Sequence, residues 1–177
     1  TLVGSTTFTN FEDTLVQGGY TYTYTVRAVD GCTESAASDT ASATFSGACA
    51  LRPDFAGLQP VINNTDTEDC ELHLSWDPAS SNCPQGPSVS YNIYRGTTPY
   101  FILGPGNLLQ PGFRGTSYTD RSVNSHVTYY YVVRAEDSTT SNGGPANGGN
   151  ESFMDVERPG TAWSSSMSPG TWADDGG

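Results

Sequence analysis

The chain has 177 residues, 15% of them charged, and a formal net charge of −12 with arginine as its sole basic side chain apart from two histidines. That length allows one or two domains, and the acidity repels phosphate backbones and anionic lipid surfaces, so neither nucleic acid nor membrane insertion is expected. No apolar run is long enough to span a bilayer, and the Gly-, Ser-, Thr- and Tyr-rich composition suits an extracellular or cell-surface β protein.

In chain order, Thr6–Asn10 reads as a short strand with Phe8 inward. A loop with Glu12, Asp13, Gly18 and Gly19 follows, then a strong strand over Tyr20–Asp30, ended by the turn signal Asp30-Gly31. Ala41, Ala43 and Phe45 alternate in a last strand that stops at Gly47. From Ala50 onward the pattern starts afresh. Phe55–Val61 is a first strand flanked by Pro53 and Pro60, as edge strands often are. Glu71–Asp77 points Leu72, Leu74 and Trp76 inward, and Val89–Arg95 does the same with Val89, Tyr91 and Ile93. Thr97–Phe113 is a long connection with a short strand in it. Thr116–Asp120, Thr128–Asp137 and Glu151–Glu157 complete seven strands, with the Gly/Asn loop Ser138–Asn150 between the last two. Short strands between turn signals predict an antiparallel sandwich, and no stretch keeps a helical period over three turns.

The strand over Thr128–Asp137 repeats the one over Tyr20–Asp30. Tyr131 matches Tyr24 and Arg134 matches Arg27 at one offset, 131 − 24 = 107. Thr116–Asp120 matches Thr6–Asn10 at a different offset, 118 − 8 = 110, which implies three extra residues in the first loop. Tandem β units of about a hundred residues follow. The expected division is 1–47 as the C-terminal half of one unit, 50–159 as a complete unit, and 160–177 as a Trp-bearing tail or the start of a further domain. On this reading the earlier strands of the first unit lie outside the chain, which is then a piece of a longer polypeptide.

The order Leu72-x-Leu74-x-Trp76, Tyr91-x-Ile93-Tyr94-Arg95, Thr119-Asp120 and Tyr129-x-Tyr131-x-Val133-x-Ala135 resembles the fibronectin type III domain. The resemblance covers 50–159 fully and 1–45 as a later half. It implies a structural core with Trp76 and Tyr91, and corner tyrosines at Tyr129 and Tyr22. With its cysteines and its Gly/Asn loop the chain looks like the modules of large secreted bacterial proteins. That implies a spacer or interaction role beside other domains or neighbouring copies. The alternatives are a filament or oligomer subunit completed by strand exchange, and an accessory carbohydrate- or substrate-binding part of a secreted hydrolase.

Four cysteines, Cys32, Cys49, Cys70 and Cys83, allow three pairings. No CxxC pair points to zinc, and the local pairs Cys32–Cys49 and Cys70–Cys83 are expected. Asp137, Asn142, Asn147, Asn150 and Glu151 offer hard oxygen ligands to Ca²⁺ on one loop, with Asp66, Glu68 and Asp69 a weaker set. The alternative is a polar loop that uses Asn and Gly for positive φ, and no other cofactor is expected. Tyr20, Tyr94, Tyr100 and Tyr130 could stack on sugar rings or pack across the outer sheet face. His73 and His126 read as solvated side chains, and no nucleophile elbow or other catalytic signature is present. Asn63-Asn64-Thr65 and Asn150-Glu151-Ser152 are glycosylation sequons. Trp163 and Trp172 suggest a tail that docks on the sandwich or on a neighbouring subunit, or else the opening of a further domain.

Overall fold

Leu72, Leu74 and Trp76 alternate with His73 and Ser75, so only one face of their strand can enter a core. The computed structural model, which describes residues 1–63, 70–139, 142–153 and 155–163, buries that face against a second sheet. Described residues form strands and loops and no helix. In the C-terminal part, β5 (Ile62–Asn63), β6 (Leu72–Ser75) and β9 (Ser117–Asp120) make one antiparallel sheet in the order β5-β6-β9. The other contains β7 (Val89–Gly96), β8 (Leu108–Phe113), β10 (Thr128–Asp137) and β11 (Arg158–Thr161) in the order β11-β10-β7-β8.

The core lies between the two sheets. Leu58, Leu72, Leu74 and Trp76 meet Tyr91, Ile93, Tyr131, Val133 and Ala135, with Phe55, Val123 and Ala162 closing the ends. The Trp76 and Tyr91 rings lie 5.3 Å apart in a tilted pair. The first strand is irregular: bridges Leu58↔Trp76 and Asp54↔Ser80 carry the segment from 54 to β5 alongside β6. The last strand comes later than expected. Among the described residues of Glu151–Glu157 only Glu151 bridges back, to Glu136, and the regular ladder with β10 begins at Arg158 and runs to Thr161. Ala162 is buried and Trp163 hydrogen-bonds Asn63, so the sandwich extends past 159.

The N-terminal part contains four more strands. These are β1 (Thr21–Tyr24), β2 (Val29–Asp30), β3 (Thr33–Glu34) and β4 (Ala41–Thr44). β1 pairs with β4 and β2 with β3 in one long hairpin. Between them Ser35 and Ser38 present hydroxyls to the amides of Ala28 and Val26, which takes the place of regular ladder bonds. The expected strand over Thr6–Asn10 does not form, and Phe8 is 77% exposed rather than inward. The physical reason is the lack of a partner: β9 in the C-terminal part pairs with β6, residues 1–47 contain no counterpart of β6, and neither Thr6–Asn10 nor the residues that follow it to Asp13 join a ladder.

Candidate functional site

The two parts meet where a linker crosses a loop. Cys49, just after the first hairpin, is bonded to Cys83 in the loop between β6 and β7, with 5.6 Å between their Cα atoms. This corrects the local pairing expected from sequence. Cys32 is a free thiol exposed at the β2–β3 turn, and Cys70 is a free thiol packed at the edge of the core. The linker and the β6–β7 loop are neighbours in space although 34 residues separate the two cysteines.

Hydrogen bonds surround this bridge. Asp137, at the end of β10, accepts from Thr139 N (3.1 Å), Thr139 Oγ1 (2.6 Å) and Asn150 N (2.9 Å) on one oxygen. Its other oxygen accepts from Ser81 Oγ and Asn150 Nδ2. Asn150 Nδ2 also reaches the Cys49 carbonyl at 3.0 Å. The Tyr20 hydroxyl donates to the Asn82 carbonyl, and Gly19, at φ +79°, lies so close to Gln85 that a Cβ would overlap its amide. The linker, the β6–β7 loop and the β10–β11 loop are thereby tied to one another.

Nearby, Glu136 is fully buried and accepts from the backbone amides of Ala146, Asn147 and Gly149 and from Asn92. The β10–β11 loop therefore folds over the outer face of its own sheet. This is why Asn92 and Tyr94, on the outward positions of β7, are buried. Glu151 accepts from Asn92, Tyr94 and Arg134. The residues expected to offer Ca²⁺ ligands are thus spread over two hydrogen-bond networks: Asp137 and Asn150 at the bridge, Glu151 under Arg134, and Asn147 with its backbone on Glu136. Among the described residues no three His, Cys, Asp or Glu side chains are grouped to hold a metal. Asp66, Glu68 and Asp69 lie outside the described residues.

Two tyrosine hydroxyls 107 residues apart make the same backbone bond. Tyr129 accepts from the amide of Asn124 at 3.2 Å, and Tyr22 from the amide of Gln17 at 2.9 Å. Tyr131 donates to Asp120 at 2.8 Å, and Tyr24 to Asp13 at 3.1 Å. Asp120 also accepts from Ser122 N, and Asp13 from Leu15 N. Thr128 meets Thr161, and Thr21 meets Thr44, each at 2.8 Å. Every residue of the second set before β4 lies 107 before its match. The offset of 110 is therefore corrected: Phe11 and Asp13, not Phe8 and Asn10, stand opposite Tyr118 and Asp120, and the first loop has no extra residues. Asp120 stands in the motif that carries the resemblance and Asp13 in the first loop, but their matching role as acceptors for Tyr131 and Tyr24 escaped the sequence reading, although the single 107 offset pairs them.

Asp120 is held below the usual carboxylate range. Burial alone would raise it, but hydrogen bonds from Ser122, Tyr131 and Arg95 override that. Burial and the same carboxylate push the Tyr131 phenol up, and partial burial with Asp13 does so for Tyr24.

The other expected positions are dispersed. Tyr94 is 5% exposed, Tyr20 and Tyr130 are half-buried, and only Tyr100 stands free at 90% exposure. No flat aromatic triad forms from them. His73 contacts Thr119 on the outer face of β6, and His126 packs edge-on against Trp163 at 4.6 Å. Asn150 of the second sequon is fully buried, Asn64 and Thr65 of the first lie outside the described residues, and so does Trp172.

Among the described residues three strands face four, and with these pairings and the Tyr129 corner they form an antiparallel β-sandwich whose architecture resembles that of fibronectin type III domains. No family model matches the chain. It is 27% identical over 137 residues to Exoglucanase B of Cellulomonas fimi, a match that spans 77% of this chain and 12% of that relative's length. Among solved structures it is similar to an Fn3-like protein from Clostridium thermocellum, at 23% identity and TM-score 0.40, covering 59% of this chain and 90% of that one. No helix among the described residues is long and apolar enough to cross a membrane.

Proposed function

We propose that the chain is a non-catalytic extracellular segment of a longer secreted or cell-surface protein, acting as a spacer that fixes the relation of one module to the next. On this reading 50–163 is a complete module and 1–47 the C-terminal half of another. The observation that carries the reading is the junction, where a buried disulfide and the Asp137–Asn150 network tie the linker to two loops of the sandwich. A linker built for mobility has no use for such ties. The match to a short stretch of an exoglucanase supports placement within a larger polypeptide.

The test is a distance distribution between spin labels on the exposed Cys32 and on Tyr100→Cys, in a Cys70→Ser background. A single narrow distribution is expected with Cys49–Cys83 intact, broadening in the Cys49→Ser/Cys83→Ser variant. A broad distribution in the oxidised protein refutes the spacer reading. Turnover of a polysaccharide or peptide substrate, lost on substituting a residue of this chain, refutes the non-catalytic part. An accessory carbohydrate-binding role has the exoglucanase match in its favour and the dispersed tyrosines against it. Retardation in cellulose affinity gels, lost in Tyr100→Ala, would establish it instead.

A further inference from the structure

In the sandwich, Arg95 on β7 stands opposite Tyr131 in the ladder, donates to Asp120 at 2.6 Å and lies 5.0 Å over the Tyr129 ring. Each of these three neighbours has a counterpart 107 residues earlier: Tyr24, Asp13 and Tyr22. The counterparts already make the matching bonds to one another, Tyr24 to Asp13 and Gln17 N to Tyr22. What they lack is the guanidinium: among the described residues no salt bridge reaches Asp13. The strand edge is vacant as well. β10 pairs with β11 on one edge and β7 on the other, whereas β1 pairs with β4 alone. Val26, counterpart of the fully buried Val133, is 71% exposed, and Phe45, counterpart of Ala162, is 47% exposed.

We infer that this face is the docking surface for a β-strand of the pattern apolar-x-apolar-x-Arg, supplied by a further segment of the same polypeptide, running antiparallel to β1 with its arginine opposite Tyr24 and on the Asp13 carboxylate. The inference rests on the proposed reading of 1–47 and adds the chemistry and register of what completes it. The ladder Tyr131↔Arg95, Val133↔Ile93 and Ala135↔Tyr91 translates to Arg opposite Tyr24, an aliphatic residue opposite Val26 and an aromatic one opposite Ala28. A second copy of the chain is a poor donor, because its own strand of this pattern, β7, has both edges occupied by β10 and β8. Main-chain bonds supply affinity in such strand addition, and the alternate side chains supply selectivity.

The 107 offset makes the test direct, since Asn107 of a copied segment is followed in register by Thr1. Residues 50–107 are fused ahead of the full chain, with both copied cysteines changed to serine, and amide exchange is followed over residues 21–28. Protection should rise by roughly 100-fold or more. Asp13→Asn, or alanine at the copied arginine, should each remove roughly tenfold of it, and the double variant no more than either. Protection indifferent to both substitutions overturns the arginine inference while leaving the half-module reading standing. No protection in a soluble fusion overturns both. If the fusion does not fold, a synthetic peptide with the sequence of residues 88–97 decides. Chemical-shift changes at Tyr22–Ala28 in the natural chain, lost in Asp13→Asn, support the inference; equal binding by the peptide with alanine for arginine, or none, overturns it. A dimer of the natural chain that protects the same amides gives the face to a second copy and also overturns it.

Discussion

Asp120→Ala should be among the most damaging single substitutions in the sandwich, and its counterpart Asp13→Ala among the mildest. Asp120 is 1% exposed and accepts from Ser122, Tyr131 and Arg95. Removing it leaves the fully buried Tyr131 hydroxyl without its acceptor, at about 1–3 kcal/mol. Arg95 loses a charge-assisted bond but keeps the Ser122 carbonyl and hydroxyl, which limits that loss to about 1.5 kcal/mol. The total is about 3–4 kcal/mol, in keeping with breaking a buried ion pair from one side. At Asp13 the Tyr24 hydroxyl is half-exposed and the Leu15 amide exposed, so both can turn to water and the loss is about 0.5 kcal/mol. Urea unfolding followed by Trp76 fluorescence measures the first, and exchange of the β1 amides the second. A loss below about 1 kcal/mol in Asp120→Ala, or equal losses at the two positions, refutes the reasoning. The pH dependence follows in sign. Asp120 in the folded protein lies below its usual range, so the unfolded chain takes up the proton first as pH falls. Its contribution is complete above about pH 4 and is lost as pH drops through the lower folded value. Asp120→Asn should flatten that acid limb.

Three further outcomes are expected. Cys49→Ser/Cys83→Ser should lower stability by about 4 kcal/mol, from a bridge spanning 34 residues, measured by urea unfolding with and without reductant. Glu136→Gln should cost about 2 kcal/mol and speed exchange at Ala146, Asn147 and Gly149, because one amide oxygen replaces a carboxylate serving three backbone donors and Asn92. Millimolar Ca²⁺ or chelator should leave the melting temperature unchanged; a rise with Ca²⁺ would return the β10–β11 loop to consideration as a metal site.

Much of the sandwich was legible because its central strands alternate with period two. Leu72, Leu74 and Trp76, and Tyr129, Tyr131 and Val133, declare an inner face by that pattern alone. Ends and pairings were less so. The last ladder falls at Arg158–Thr161 because Glu151 and Asp155 of the preceding segment are engaged with Arg134, a contact between side chains that no period reveals. Cysteine pairing depends on which loops meet in space, and sequence distance is a poor guide to that. The carboxylates of the β10–β11 loop look the same whether their partners are a cation or backbone amides. Tyr94 reads as an outward residue until the loop that covers it is placed. Asp13, by contrast, was legible in principle: a constant offset, followed past Tyr22 to the next acid, leads to it.

The Cys49–Cys83 bridge also decides how the chain bears a pull along its length. Tension arriving through the first hairpin passes at Cys49 into Cys83 and on to β7, so the 34 residues of separation between the two cysteines, β5 and β6 among them, stay off the stretched path. While the bridge holds, an unravelling module lengthens by roughly 120 Å less than its residue count allows, at about 3.5 Å per residue. Reduction of one covalent bond would release that hidden length, so the extension the protein yields before it is taut depends on the redox state of its surroundings.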